Sequence, residues 1–98
     1  MKTLVSAEIK KKISELQGWC LDEKKSAIEK DFKFEDFTSA VCFLNRVAEI
    51  AELENHHPDL HLTNYRNLKI VLSTHSAGGL TKKDFKLATQ IEEVFREA

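Results

Sequence analysis

The chain has little of what builds special structures. Its 98 residues include two cysteines, one proline and three glycines. Cys20 and Cys42 stand 22 residues apart and outside any CxxC spacing. That spacing disfavours a zinc knuckle or a structural disulfide, so free, buried thiols in a reducing compartment are expected, with the cytoplasm as the default. No repeat, low-complexity tract or Pro/Gly/Ser-rich linker divides the sequence, which predicts a single domain over residues 1–98. An excess of one charge is also missing: 15 basic residues face 16 acidic ones, for a net charge of -1. Direct nucleic-acid binding and attachment to an anionic membrane both draw on a basic excess, and neither is expected. No apolar run approaches the ~20 residues of a membrane span. The first residues turn polar again at Glu8 and do not form the apolar core of a signal peptide.

What is present suits a folded domain. Hydrophobic residues make up 42% and charged residues 32%, a balance that is neither disordered nor fibrous. Ile9, Ile13 and Leu16 keep helical spacing over Ser6–Gln17, with Ser6 as N-cap and Gly18 at the end. Trp19–Leu21 reads as a short strand and Asp22–Lys25 as a turn. Ile28, Phe32 and Phe34 then share one parity, a strand with one buried face on which only Lys30 is out of place. Asp36–Glu54 carries the strongest helical signal, through Ala40, Val41, Leu44, Val47, Ala48 and Ala51. Phe37, Phe43, Ile50 and Leu53 widen this stripe beyond what one sheet face covers, so a homodimer or homotetramer is expected.

Pro58 stops that helix. Leu60–Tyr65 and Leu68–Thr74 then read as a hairpin turning at Arg66-Asn67. Leu68, Ile70 and Leu72 face one side of the second strand. Gly78-Gly79 allows a sharp turn, and Thr81 with Asp84 gives a capping-box start to a last helix striped by Phe85, Ala88, Ile91 and Phe95. The order α-β-β-α-β-β-α predicts an α+β fold, with a four-stranded antiparallel sheet and three helices on one face.

The chemistry concentrates in histidine, the side chain suited to moving protons near neutral pH. His56 and His57 are adjacent, directly after the long helix, and His75 ends the fourth strand. Duller readings stand beside the catalytic one. The pair could simply meet the helix dipole, Asp84 could be only a capping acid, and Trp19 and Tyr65 could be core aromatics. His57 and His61 have a four-residue spacing, but Pro58 interrupts it and no HExxH pattern supports a metal.

At these residues the sequence resembles the pterin-4a-carbinolamine dehydratases. The family pattern is an acid, three residues, His-His-Pro, about six residues, an aromatic, nine residues, His, about eight residues, Asp. Glu52, His56-His57-Pro58, Tyr65, His75 and Asp84 match it. The resemblance extends through Gly18-Trp19, Phe32-Lys33-Phe34, Asn45-Arg46-Val47-Ala48 and Leu72-Ser73-Thr74-His75, which is nearly the whole chain.

The resemblance implies removal of water from 4a-hydroxytetrahydropterin to give quinonoid dihydropterin, in tetrahydropterin recycling, with no metal or organic cofactor. It makes His56 and His75 the acid/base pair and gives His57 an orienting share. Glu52, one helical turn before His56, is expected to pair with that histidine. Ser73, Thr74 and Ser76 would meet the polar edge of the pterin and Trp19 an apolar wall, with Asn55, Pro58 and Asp84 completing the substrate site. Asn55 stands where some members carry an acid. His61 lies outside the motif and is expected at the surface. Two other functions remain open: a protein-interaction module of the transcription-coactivator or assembly-chaperone type, and action on a different pterin or folate-like compound.

Overall fold

The computed structural model describes residues 2–97. Its elements, in order, are α1 (Ser6–Ser14), β1 (Cys20–Leu21), β2 (Ile28–Lys33), α2 (Phe37–Glu54), β3 (Asp59–Thr63), β4 (Asn67–Leu72) and α3 (Lys82–Glu97). The strands form one antiparallel sheet in the order β1-β2-β4-β3, so the α+β architecture is the one expected. Alternation fixes the faces. Ile28, Phe32, Leu68, Ile70 and Leu72 are fully buried or nearly so on the inner face. Ile9 and Ile13 of α1, Phe43 and Val47 of α2, and Phe85, Ala88 and Ile91 of α3 join them in one cluster.

Lys30, the misfit of β2, is absorbed rather than expelled. Its ammonium donates to Glu92 (2.8 Å) and to the Gln17 carbonyl (2.9 Å), and it lies 4.8 Å from the centre of the Phe32 ring. The stem covers apolar surface while the charge is fully partnered.

Several boundaries differ from the sequence reading. The first helix is capped by Val5, not Ser6; the Glu8 carboxylate reaches back to the Val5 N–H (3.2 Å). It also ends at Ser14, because Glu15 and Leu16 bond three residues back and tighten the last turn. The hairpin turns at Asn64 and Tyr65, both left-handed (φ 48° and 53°), and not at Arg66-Asn67. Thr63 pairs with Asn67, and asparagine tolerates this conformation better than most residues. Tyr65 is therefore 53% exposed at the hairpin tip and is neither a core aromatic nor near the histidines. Cys20 and Cys42 are unpaired, as expected, but exposed rather than buried. Cys20 sits opposite Glu29 on the outer sheet face, and Cys42 lies off the inward row Ala40, Phe43, Val47, Ala51 of α2.

Those four residues are the buried ones of α2. Phe37 (54%) and Leu53 (86%) are exposed, and Val41, Leu44 and Ile50 are half-buried, so part of the wide stripe is left uncovered by the chain.

Asp36 caps α2 by accepting the Ser39 N–H (2.8 Å). That backbone bond holds its carboxyl below the ordinary value of 3.8. The lower native value means that the cap stabilises above the unfolded value and is lost as pH falls through the native one. Urea unfolding is expected to separate the wild type from Asp36→Ala at pH 6, with the gap closing as the pH is taken below the carboxylate range. A gap that stays constant with pH would contradict this.

Candidate functional site

The geometry starts at the C-terminus of α2. Asn55 adopts a left-handed conformation (φ 50°, ψ 43°), and the His56 N–H returns to the Ala51 carbonyl (3.1 Å). This closes the helix and turns the chain sharply. His56 is thereby swung inward, only 9% exposed, while His57 points out. Pro58 leads into β3, whose first residue, Asp59, pairs with Val71 near the end of β4. The start of β3 and the end of β4 therefore lie side by side, and the segments carrying the tandem pair and His75 meet at one end of the sheet.

A buried carboxylate joins them. Asp84 is 0% exposed. Its Oδ1 lies 2.6 Å from the His56 Nε2. Its Oδ2 accepts the Thr74 hydroxyl (2.8 Å) and the Thr81 N–H (2.9 Å). The hydroxyls of Thr74 and Thr81 are 2.8 Å apart. With the Thr74 proton given to Asp84, Thr81 donates to Thr74 and itself accepts from the Lys83 N–H (3.3 Å). The side-chain oxygens of Asp84, Thr74 and Thr81 are all partnered, as a low-dielectric interior demands.

Asp84 fixes the orientation of His56. With the Nε2 proton donated to the carboxylate, Nδ1 is the ring nitrogen left for other work. It is not among the buried unpartnered atoms, and 10% of the side chain remains exposed. His57 bonds through Nε2 to the Glu52 carboxylate. Glu52 thus serves His57, not His56 as expected: after Asn55 reverses the chain, it is the exposed histidine that falls beside the outer face of the last helical turn. Both partners are more than half exposed, so this pair adds little stability. His75 opens a short 3₁₀ turn, His75–Ala77, closed by Gly78 at φ 78°; it is exposed. Glu54, two residues before His56, is held by the Gln90 amide (2.9 Å) and the Lys86 ammonium (3.0 Å), which keep its carboxyl below the usual carboxylate range.

The other expected site residues divide by exposure. Asn55 and Ser76 are exposed and Pro58 is half-buried. Thr74 and Asp84 are buried beneath the surface. The Ser73 hydroxyl is taken by the Ser26 carbonyl (2.8 Å). Trp19 is not brought to the histidines: its ring meets the edge of Phe32 and its indole N–H meets Glu92 (3.1 Å). His61 is exposed on the outer face opposite Lys69. Thr81 belongs to the network although only its capping role is visible in the sequence. None of the described cavities, of 190 to 590 Å³, is lined by the three histidines; His57 and His75 are exposed, whereas His56 is buried. Among the described residues no three His, Cys, Asp or Glu side chains group as metal ligands.

The sequence model of a family described as pterin 4 alpha carbinolamine dehydratase matches residues 2–94. A protein of Sulfurisphaera tokodaii, provisionally named a pterin-4-alpha-carbinolamine dehydratase, is 45% identical over 94 residues, covering 96% of this chain and 98% of its own. The mitochondrial pterin-4-alpha-carbinolamine dehydratase 2 of Arabidopsis thaliana is 43% identical over 84 residues, 84% of this chain and 45% of that protein. A crystal structure from Brucella melitensis, titled transcriptional coactivator/pterin dehydratase, superposes with a TM-score of 0.90 at 32% identity, covering 95% of this chain and 98% of the other.

Asp84→Ala removes the acceptor from three buried donors. It is expected to lower stability by about 3–5 kcal/mol in urea unfolding, with Asp84→Asn intermediate. A loss below about 1 kcal/mol would show that the carboxylate is not the tie described.

Proposed function

The chain belongs to the pterin 4 alpha carbinolamine dehydratase family, and we propose that within it the protein dehydrates 4a-hydroxytetrahydropterin, the biopterin form included, to quinonoid dihydropterin. The carrying observation is the Asp84 carboxylate, which ties His56 to Thr74, the residue before His75. The reaction moves two protons with no net oxidation or reduction. The 4a-oxygen takes a proton and leaves as water, while the neighbouring N5 gives up its proton and its electrons close the C4a=N5 bond. One imidazole as acid and one as base meet this need, each worth about 10²- to 10⁴-fold.

His56 works through Nδ1, with Asp84 as its positioning residue. His75, on its short turn, supplies the second imidazole. His57, steadied by Glu52, orients the pterin, and the exposed Ser76 and Asn55 offer hydrogen bonds to its polar edge. The cytoplasm is the setting we assign, since two unpaired, exposed thiols suit a reducing compartment.

A second reading has its own observation. Phe37 on α2 is exposed, Val41 and Leu44 follow it along the same side of the helix and are only half-buried, and an uncovered apolar face marks a protein contact. Copies of this chain meeting there would form the dimer or tetramer, and the same face would serve a partner protein in a coactivator-like or assembly role. Light scattering is expected to give a multiple of the 11.2 kDa chain mass; a monomer would remove the self-association.

Single His56→Ala and His75→Ala variants are expected to lose about 10²- to 10⁴-fold in dehydration rate, and His57→Ala less. Unchanged rates in both would end the acid/base assignment. A folded wild type with no turnover would favour the interaction role.

A further inference from the structure

The near-neutral charge of the chain hides an uneven distribution. Two cavities flank the N-terminal segment at Thr3 and Leu4. The smaller, about 310 Å³, is lined by Lys10, Lys24 and Lys25 and by no carboxylate. The larger, about 590 Å³, adds Lys2, Lys82 and Lys83, with Glu8 as its one acid, and that carboxylate already accepts the Val5 N–H. Among the described ion pairs none involves these six lysines. Lys24 and Lys25 ride a turn that Asp22 organises by accepting the N–H groups of Ser26 (2.8 Å) and Ala27 (3.2 Å), so their backbone is held in place.

The smaller cavity shares walls with the histidine-bearing loop. Ser26 accepts the Ser73 hydroxyl. Gly79 bridges to Thr74, whose hydroxyl meets Asp84. Gly78, also in the wall, is three residues from His75, a span of at most about 11 Å. Like charges around one hollow repel, and a bound anion relieves that repulsion.

We propose that this lysine-lined cavity receives an anionic tail, phosphate or carboxylate, borne by the side chain of the pterin whose ring lies at His56 and His75. The assignment rests on the dehydratase reading and sharpens it: the preferred substrate is a tetrahydropterin with a negatively charged substituent. A volume of 310 Å³ suits a small anionic group rather than a macromolecule. Three ammoniums there would also raise the local concentration of an anionic ligand.

The test is equilibrium binding of paired probes: 7,8-dihydroneopterin against its triphosphate, and the uncharged dimethyl ester of 7,8-dihydrofolate against 7,8-dihydrofolate itself. At low salt the anionic member of at least one pair is expected to bind about tenfold more tightly, and the pair that shows it distinguishes phosphate from carboxylate. The advantage should shrink at about 0.5 M salt, where the Debye length is under about 5 Å. The triple variant Lys10→Ala/Lys24→Ala/Lys25→Ala should bring the ratio near one, while Lys33→Ala, on the outer sheet face, keeps it. Ratios within about twofold for both pairs, or an advantage that survives the triple variant, would overturn the proposal. Turnover of tail-less and tail-bearing 4a-hydroxytetrahydropterins is scored separately. Turnover of either without a binding preference removes only this inference; preference with turnover of neither removes the dehydratase reading and leaves the anion site standing.

Discussion

One buried carboxylate holds this molecule's chemistry together. Asp84 has no exposed surface, and an isolated carboxylate there would be costly. Its two oxygens instead meet an imidazole, a hydroxyl and a backbone N–H, drawn from the exit of α2, the exit of β4 and the entry of α3. The group that starts the last helix is therefore also the group that aims His56. Fold and site share one residue, so stability and activity cannot be tuned independently at that position.

The sheet does the longer-range positioning. Antiparallel pairing of Asp59 with Val71 brings residues 56–58 beside residues 73–75 without any direct bond between them. The rest of the inner face supplies rigidity: Phe32, Phe34, Phe43 and Phe95 meet edge-to-face or tilted, at centroid separations of 4.9 to 5.9 Å, a geometry suited to aromatic quadrupoles. A firm floor of this kind lets two imidazoles on short connections keep a fixed relation.

Much of this was legible in the residues, and the failures have physical causes. Periodicity found α2 and α3 because apolar spacing is a local signal, and alternation placed Ile28, Phe32, Leu68, Ile70 and Leu72 on one face. The hairpin turn lies about two residues before Arg66-Asn67 because Asn64 and Tyr65 adopt left-handed conformations that no Gly announces. Free cysteine is habitually buried, whereas neither thiol here lies on an inward row. At the site, the Thr81–Asp84 cap could be read, but the second job of that carboxylate could not, because His56 lies 28 residues away. Helical spacing from Glu52 points to His56, but the chain reversal at Asn55 puts His57 beside it instead.

The central claim is that His56 and His75 serve one ligand. Ring-nitrogen and ring-carbon NMR signals of the four histidines, followed during titration with the stable 7,8-dihydropterin, test it most directly. Shifts of the His56 and His75 rings that saturate together, with His61 unmoved, are the predicted result. Movement of one ring without the other, or of neither, would contradict it.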